Sequence, residues 1–302
     1  MKHEHAHRRR KLPRAALLVA LATVGAAGLG GVALAGSSSP AWSGSFDGFP
    51  DAAWASKWGK VKEGSWGFQN LRAIDDPSTP GGGKALQVDY PAKSGPPSCD
   101  ECKVGGGQFY QDLTTNGQTA LRNSPTVDLK YSYKFPVGFD FGKKRAGKMP
   151  GLYGGKPGCQ SGGDHCSDAW STRYMWRGGN ADAPNGELYF YGPKGSEYGQ
   201  DLCKGNWKFA ADGKWHSIEQ LVNVETGQIS IWSDGGSAPV CQQKVSMGGT
   251  PVSGIFFSTF HGGHTTDWSP SHASSAEFGG FSLSTARQNG VSPAATSSAG
   301  AR

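Results

Sequence analysis

After its first 35 residues the chain has no long apolar run, almost no helical periodicity and no internal repeat. These absences disfavour a membrane-spanning protein, a helical bundle and a repeat architecture. The net charge of residues 36–302 is also small. Six of the 30 Lys and Arg and one of the 24 Asp and Glu lie in residues 1–35, so 24 basic and 23 acidic side chains remain. We therefore expect neither nucleic acid nor, once the N-terminal segment is removed, a membrane as a partner.

The first 35 residues have the pattern of a secretory signal peptide. Basic residues up to Arg14 precede an apolar run from Ala15, and the small residues Ala33-Leu34-Ala35 form a cleavage site. The Arg8-Arg9-Arg10 run also allows a twin-arginine export route, although ordinary secretion fits better, and a retained signal anchor is the alternative. The sequence thus predicts a secreted, extracellular protein.

The remainder divides into a lead, one domain and a tail. Residues 36–41 form a short Ser-rich lead, and residues 42–286 have the composition of a single folded domain. Residues 287–302 are rich in Ser and Ala and cannot bury a core, so we predict a disordered tail. We expect the protein to be a monomer.

Short runs of alternating apolar and polar residues, separated by turn residues, predict an all-β domain. The candidate strands are Lys84–Tyr90, Thr126–Phe135, Trp170–Arg177, Glu187–Tyr191, Trp215–Val224, Gln228–Ser233, Gly254–Phe260 and Ala276–Leu283. Strands at this spacing without intervening helices indicate a β-jelly roll, a sandwich of two antiparallel sheets. One face of such a sandwich is often concave, and we expect a substrate groove there.

All six cysteines lie after the predicted signal peptide, and an even number of exported cysteines predicts disulfides. We predict the pairs Cys99–Cys102, Cys159–Cys166 and Cys203–Cys241, the last joining distant strands. The alternative is a zinc site that uses the two close pairs as four thiolates.

Polar and aromatic residues flank Pro184-Asn185-Gly186, which resembles a hairpin turn. Strand periodicity puts Ser171, Arg173 and Met175 on one face of the first run. The same rule puts Glu187, Tyr189 and Tyr191 together on the second run. The two faces are predicted to meet as one polar surface.

Five segments stand out for their order along the chain: Lys148–Gly155, Ser171–Arg177, Tyr189–Tyr191, Trp215–Gln220 and Thr259–Gly263. In this order they resemble the family-14 polysaccharide lyases, which include alginate lyases, and the related glucuronan lyases. The resemblance implies a β-jelly roll that cleaves a 4-linked polyuronate, alginate or glucuronan, by β-elimination. It also implies that Lys148, Ser171, Arg173, Tyr189 and Tyr191 line the catalytic groove.

The chemistry of elimination assigns roles to these side chains. The C5 proton of a uronate is barely acidic until its carboxylate is neutralised, and the Arg173 guanidinium, with Lys148 as a second charge, suits that task. Either Tyr189 or Tyr191 is the predicted base, because nearby cations favour the phenolate and lower its pKa. The other tyrosine, or the same one after accepting the proton, protonates the departing O4.

Further residues are candidates for substrate binding. Ser171 is expected to orient the carboxylate or a hydroxyl, and Gln220 and Asn223 either bind sugar groups or cap their strand. His261 stands where a second aromatic residue is expected before Gly262-Gly263, which points to a different substrate at that turn. Because the acidic ligands for a metal site are lacking, we predict no catalytic metal and no cofactor.

Two other functions fit parts of the pattern. A jelly-roll glycoside hydrolase needs two carboxylates across a cleft, and Glu187 with Glu219 is the best available pair. A non-catalytic, lectin-like module would use the same cations to hold an anionic glycan.

Overall fold

The computed structural model describes residues 40–161, 166–193 and 198–288. The predicted signal peptide, residues 36–39 of the lead and the tail from residue 289 lie outside these ranges. The strands, in chain order, are β1 Trp42–Gly44, β2 Lys60–Trp66, β3 Leu71–Ile74, β4 Ala85–Tyr90, β5 Ser94–Gly95, β6 Lys103–Val104, β7 Gly107–Asp112, β8 Thr126–Lys134, β9 Ala146–Gly154, β10 Trp170–Gly179, β11 Pro184–Tyr191, β12 Gln200–Lys208, β13 His216–Asn223, β14 Gln228–Ser233, β15 Cys241–Lys244, β16 Val252–His261 and β17 Ser274–Ser284. The helices are α1 Ala52–Trp58 and α2 Thr119–Arg122, with single 3-10 turns at Phe68–Asn70 and Thr266–Trp268.

Two antiparallel sheets form a sandwich of the jelly-roll class, as the sequence predicted. The first sheet has the strand order β15-β14-β13-β8-β17-β4-β3, with β1 beside β17, and the second has the order β12-β11-β10-β9-β16-β7-β2. A continuous core of mostly aromatic and branched side chains separates them, and it includes Phe109, Tyr131, Trp176 and Phe281. Such a core leaves each sheet one outward face.

All eight candidate strands are present, with bounds that differ by a few residues. The central strand β9 is absent from the sequence prediction because its Pro and Gly residues hid the alternation. Helix α1 was also not predicted. Asp51 caps its N-terminus, with a side chain that accepts the backbone N–H of Trp54, and the left-handed Gly59 caps its C-terminus.

The predicted hairpin exists, but its turn lies elsewhere. Pro184, Asn185 and Gly186 are the first residues of β11, and the connection from β10 is residues 180–183. Gly186 fits inside a strand because the Trp207 ring packs across it, and a Cβ there would lie 2.1 Å from the indole nitrogen. The Asn-Gly pair is therefore a packing feature of this strand and not a turn.

A bulge shifts the phase of β9 in the middle of the second sheet. Leu152 is paired with Thr172 and Met149 with Tyr174, so Pro150 and Gly151 together oppose a single residue of β10, Arg173. Gly151 allows this close approach, since a Cβ at that position would lie 2.2 Å from the carbonyl oxygen of Thr172.

The six cysteines form the three predicted disulfides, Cys99–Cys102, Cys159–Cys166 and Cys203–Cys241. The zinc alternative is therefore wrong. The third disulfide joins β12 to β15, the outermost strands of the two sheets at one side of the sandwich. Within the ranges that the structure covers, no helix combines the length and apolarity needed to cross a bilayer.

The folded domain extends past the predicted boundary at residue 286. Gln288 is buried on the outer face of the first sheet, where its backbone N–H donates to Glu219 and its side chain to Asp128. Burial and the adjacent Glu219 raise the pKa of Asp128 to about 9. Arg287 stacks its guanidinium on the Trp232 ring. Residues 287 and 288, assigned to the tail from sequence, thus belong to the domain.

Candidate functional site

The predicted polar surface is the outer face of the second sheet. Cross-strand pairing aligns Ser171 with Tyr191 and Arg173 with Tyr189. One step along, Met175 is paired with Lys148 of β9. We call the five residues Lys148, Ser171, Arg173, Tyr189 and Tyr191 the site cluster. The structure brings together all five residues that the family resemblance implied.

Arg173 is a buried cation without a carboxylate partner. Its side chain is 1% exposed, and its Nη1 donates to Ser258 Oγ at 3.2 Å. Its guanidinium carbon lies 4.4 Å from the Phe256 ring centre and 5.8 Å from that of Tyr191. Within the described ranges no acidic side chain pairs with it, and its Nε has no hydrogen-bond partner. Burial lowers the pKa of Arg173, although a guanidinium keeps its charge at any ordinary pH.

Lys148 lies beside Arg173 and against two neighbouring side chains. Its Nζ is 3.1 Å from the centre of the Tyr189 ring and donates to Met175 Sδ. Burial lowers the pKa of Lys148 well below its usual value, and repulsion by Arg173 and Arg177 adds to the effect. Both effects favour the uncharged form of the Lys148 amine.

The pKa of Tyr189 is shifted in the opposite direction from the one predicted. Burial raises the pKa of Tyr189, and this effect outweighs the opposing influence of Arg173. Its hydroxyl accepts the backbone N–H of Gly199 at 3.1 Å. Tyr189 thus keeps its proton at neutral pH and is suited to donating one, not to removing one.

The site cluster is largely covered. Lys148 is 8% exposed, Tyr189 and Tyr191 are each 7% exposed, and Ser171 is fully buried. The Ser171 hydroxyl donates to the carbonyl oxygen of Gln160, which belongs to the segment after β9. Lys148 and the two tyrosines therefore form the accessible surface, and the guanidinium lies beneath them.

An ion cluster borders the site at the β11–β12 edge. Arg177 Nε donates to Glu187 at 2.8 Å, and Arg177 Nη2 contacts Asp201 at 3.3 Å and Met175 Sδ at 3.7 Å. Burial raises the pKa of Glu187, and the Arg177 charge opposes that rise. In contrast to Arg173, this guanidinium has acidic partners.

Three predicted substrate-binding residues lie away from this face. Gln220 projects from β13 into the core, where its amide bonds to the Thr172 hydroxyl and carbonyl. Asn223 ends β13 in the other sheet, and its Oδ1 accepts two backbone N–H groups of the following turn. His261 faces the core, bonded to the carbonyl oxygen of Asp140 at 2.7 Å, and burial lowers its pKa to about 4. We therefore leave these three out of the site.

The carboxylates of the hydrolase alternative cannot act on one bond. Glu187 alternates with the core residue Leu188 and so faces outward from the second sheet. Glu219 alternates with the core residue Ile218 and faces outward from the first sheet. The core of the sandwich separates them, whereas a glycosidase needs both on one cleft.

Several residues of the site were missed from sequence. Ser258 links Arg173 to Gln108, whose Oε1 accepts the serine hydroxyl at 2.9 Å. Phe256 stacks on Tyr110 with ring centres 4.2 Å apart and forms an apolar wall beside the guanidinium. Phe260, paired with Lys148, is the outward residue next to His261. Alternation along β16 could have assigned Phe256, Ser258 and Phe260 to one face, because they are two residues apart.

The arrangement is suited to an anionic substrate that must lose a proton. An unpaired guanidinium attracts a carboxylate, a weakly basic amine can accept a proton, and protonated phenols can donate one. These groups lie on three adjacent strands of a sheet, which keeps their backbone spacing fixed.

Comparison with known proteins adds to this geometry. The family model described as Polysaccharide lyase 14 matches residues 78–281. The chain is similar to the marine PL-14 alginate lyase from Aplysia kurodai, at 28% identity over 74% of this chain and 90% of that one, with a TM-score of 0.57. It is also similar in fold to alginate lyase vAL-1 from a Chlorella virus, at 18% identity over 82% and 100% of the two chains, with a TM-score of 0.60.

A third similar structure is alginate lyase Aly36B, at 19% identity over 82% of this chain and 98% of that one, with a TM-score of 0.59. A mutant of Aly36B was solved in complex with an alginate tetrasaccharide. A search of curated protein sequences finds no match.

Proposed function

The chain belongs to the polysaccharide lyase 14 family and is a polysaccharide lyase, and we propose that it cleaves a 4-linked polyuronate of the alginate type by β-elimination. The observation that carries the proposal is the unpaired, buried Arg173 beside Lys148 and Tyr189. A buried charge without a partner destabilises a fold by several kcal/mol, roughly, so a ligand that completes the pair is the best explanation for its presence.

The first step in the proposed reaction is neutralisation of the uronate carboxylate. Arg173 binds the carboxylate, and the Ser171 hydroxyl stands beside it. The C5–H bond then breaks, and its electron pair enters the enolate-like dianion that the guanidinium stabilises. Electrostatic help of this kind contributes about 10²–10³-fold to the rate, to judge from removal of single oxyanion donors.

We assign the base to Lys148. Lys148, at 8% exposed, is about as accessible as the two tyrosines, and burial with two nearby guanidinium groups favours the uncharged form of its amine. The amine takes the C5 proton, the C4–O4 bond breaks as the C4=C5 double bond forms, and a phenol protonates the departing O4. Tyr189 or Tyr191 is the donor, since Tyr189 retains its proton.

Entry of the substrate requires side-chain movement, because the Arg173 guanidinium lies beneath Lys148 and the tyrosines. Rotamer changes of this size are common when ligands bind. The outer face of the second sheet forms the floor of the proposed groove.

Alginate is the first substrate to test, since the similar solved structures are alginate lyases. Purified protein would be incubated with polymannuronate, polyguluronate and glucuronan, and the unsaturated product followed by its ultraviolet absorbance. We expect absorbance to rise with at least one polymer. No rise with any of them, at several pH values, would contradict the proposal, and binding without product would support the lectin-like alternative.

Variants separate the proposed roles. Lys148→Met removes the base while it keeps most of the side-chain volume, and we expect activity to fall by about 10²–10⁴-fold. Lys130→Met on β8 is a matched control, because it removes a lysine from the outer face of the other sheet. Equal losses in the two variants would show that the charge change, not the site, is responsible.

Export is part of the proposal. Three disulfides support an oxidising compartment, and the N-terminal 35 residues have a signal-peptide pattern. We propose a secreted monomer. N-terminal sequencing of protein from the culture medium, together with gel filtration, tests both points.

A further inference from the structure

Met175 is the point where the site cluster meets the ion cluster. Lys148 Nζ donates to its sulfur from one side, and Arg177 Nη2 contacts the same sulfur at 3.7 Å from the other. In the sheet, Met175 is paired with Lys148 on β9 and with Glu187 on β11. The amine and the guanidinium are thus held a single sulfur atom apart.

Arg177 is itself fixed by two acids. Its Nε donates to Glu187, whose side chain is 2% exposed, and its Nη2 lies 3.3 Å from Asp201 of β12. A buried carboxylate of this kind requires its cation, because an unpaired one is strongly unfavourable. The other oxygen of Asp201 contacts Lys204, which is 62% exposed.

The charged and titratable groups around the Lys148 amine come from several strands. They are Arg173 and Arg177 on β10, Glu187, Tyr189 and Tyr191 on β11, and Asp201 on β12. On the other side of Lys148, its neighbour on β16 is the uncharged Phe260. Trp268 packs against the cluster, and Lys144, which pairs with Asp267, lies over the Trp268 ring. Arg177 is the cation of this set that does not belong to the substrate-binding surface.

We propose that Arg177, held by Glu187 and Asp201, is a positioning residue for the reaction: it fixes Met175 against Lys148 and supplies the positive charge that keeps the amine free of a proton. This inference rests on the proposed role of Lys148 as the base. Glu187 acts in the opposite direction, because its negative charge favours the ammonium form. The chain would then set the acidity of its base through residues that never touch the substrate.

Two charge-removing variants have opposite expected effects. Arg177→Gln removes a cation, so Lys148 holds its proton more tightly and the acidic limb of the kcat/KM profile moves to higher pH. Glu187→Gln removes an anion, and the limb moves to lower pH. Since two contacts to one sulfur keep the cations close together, we expect each limb to move by about one pH unit, or about tenfold in kcat/KM on the limb.

The experiment records pH profiles of the wild type, Arg177→Gln, Glu187→Gln and the control Lys204→Gln. The control makes the same charge change as Arg177→Gln at an exposed position, and its profile should match the wild type. A readout independent of activity is the titration of the Lys148 side chain by NMR in lysine-labelled protein, with the resonance assigned from Lys148→Arg. If Arg177→Gln does not fold, Glu187→Gln alone decides the direction.

Shifts of opposite sign in both readouts support the inference, and shifts of one sign, or none, in an active wild type overturn it. If Arg177 and Glu187 had only a structural role, both variants would have a lower kcat, but the acidic limbs of their pH profiles would not move in opposite directions. Failure of the proposed function is distinguishable, because the wild type would then form no unsaturated product while the NMR titrations would still report whether Arg177 and Glu187 act on Lys148.

Discussion

Two arginines on β10 differ in their partners, and replacing each by methionine should change stability in opposite directions. Arg173 is 1% exposed with no carboxylate partner within the described ranges, whereas Arg177 pairs with Glu187 and Asp201. Methionine keeps an unbranched, flexible side chain of similar length in both cases. The comparison therefore isolates the effect of the charge.

Replacing Arg173 removes a desolvation penalty of several kcal/mol, roughly. It also removes one hydrogen bond, about 1 kcal/mol, and two ring contacts of about 0.5–1 kcal/mol each. Ser258 keeps a partner, since its hydroxyl also donates to Gln108. We expect Arg173→Met to raise the free energy of unfolding by about 1–3 kcal/mol and to lower activity by about 10²–10³-fold.

Replacing Arg177 leaves Glu187 buried without its cation. Breaking a fully buried pair costs about 3–5 kcal/mol. Because the Arg177 side chain is 35% exposed, we reduce this to a loss of about 1–3 kcal/mol. The assay is chemical denaturation at neutral pH with intact disulfides, followed by tryptophan fluorescence. If Arg173→Met loses as much stability as Arg177→Met, then Arg173 serves the fold, and the central observation of the proposed function fails.

Three further predictions concern turnover, pH and a disulfide. Arg173→Ala should lower kcat at least as much as Tyr191→Phe in the absorbance assay, because Tyr189 can replace Tyr191 as the proton donor whereas the site cluster has no second guanidinium to bind the carboxylate, and an active arginine variant would contradict this. Bonds to Asp234 and Asp212 raise the pKa of His216 to about 9, so this residue contributes stability that is fully present below about pH 6.5 and is lost as the pH rises through about 9. His216→Gln should therefore lose about 1–2 kcal/mol at about pH 6 and almost nothing at about pH 10, and urea titrations with equal losses at both values would refute this. Replacing Cys203 and Cys241 together by serine opens a link across a sequence separation of 38 and should lower the free energy of unfolding by about 4 kcal/mol, against a much smaller loss for the Cys99–Cys102 pair.

Strand alternation was enough to predict the sandwich and the composition of its polar face. Ser171, Arg173, Tyr189 and Tyr191 follow the two-residue period without interruption, and their cross-strand pairing agrees with it. Export and short spacings gave the Cys99–Cys102 and Cys159–Cys166 pairs, and Cys203–Cys241 followed as the remaining pair between distant strands. Which side chains share a face can be predicted from sequence because the two-residue period of a single strand determines it.

The missed features depend on contacts between strands that are distant in the chain. His261 was assigned to the groove from its place before Gly262-Gly263, but the phase of β16 turns it towards the core and exposes Phe260. The direction of the Tyr189 pKa could not be read from charges alone, since burial has the larger effect. Proximity of Arg177 to Lys148 likewise exists only after β9 and β10 pair.

The bulge in β9 has a consequence for how this enzyme tolerates change. Lys148 and Tyr153 are five positions apart, which in a regular strand would direct them to opposite faces, yet both face outward because Pro150 and Gly151 share one partner. Within that stretch the number of residues matters more than their identity. A single deletion there would restore the regular period and turn either the Lys148 amine or the Tyr153 phenol inward. Libraries of substitutions in this stretch should therefore preserve function far more often than libraries of insertions and deletions.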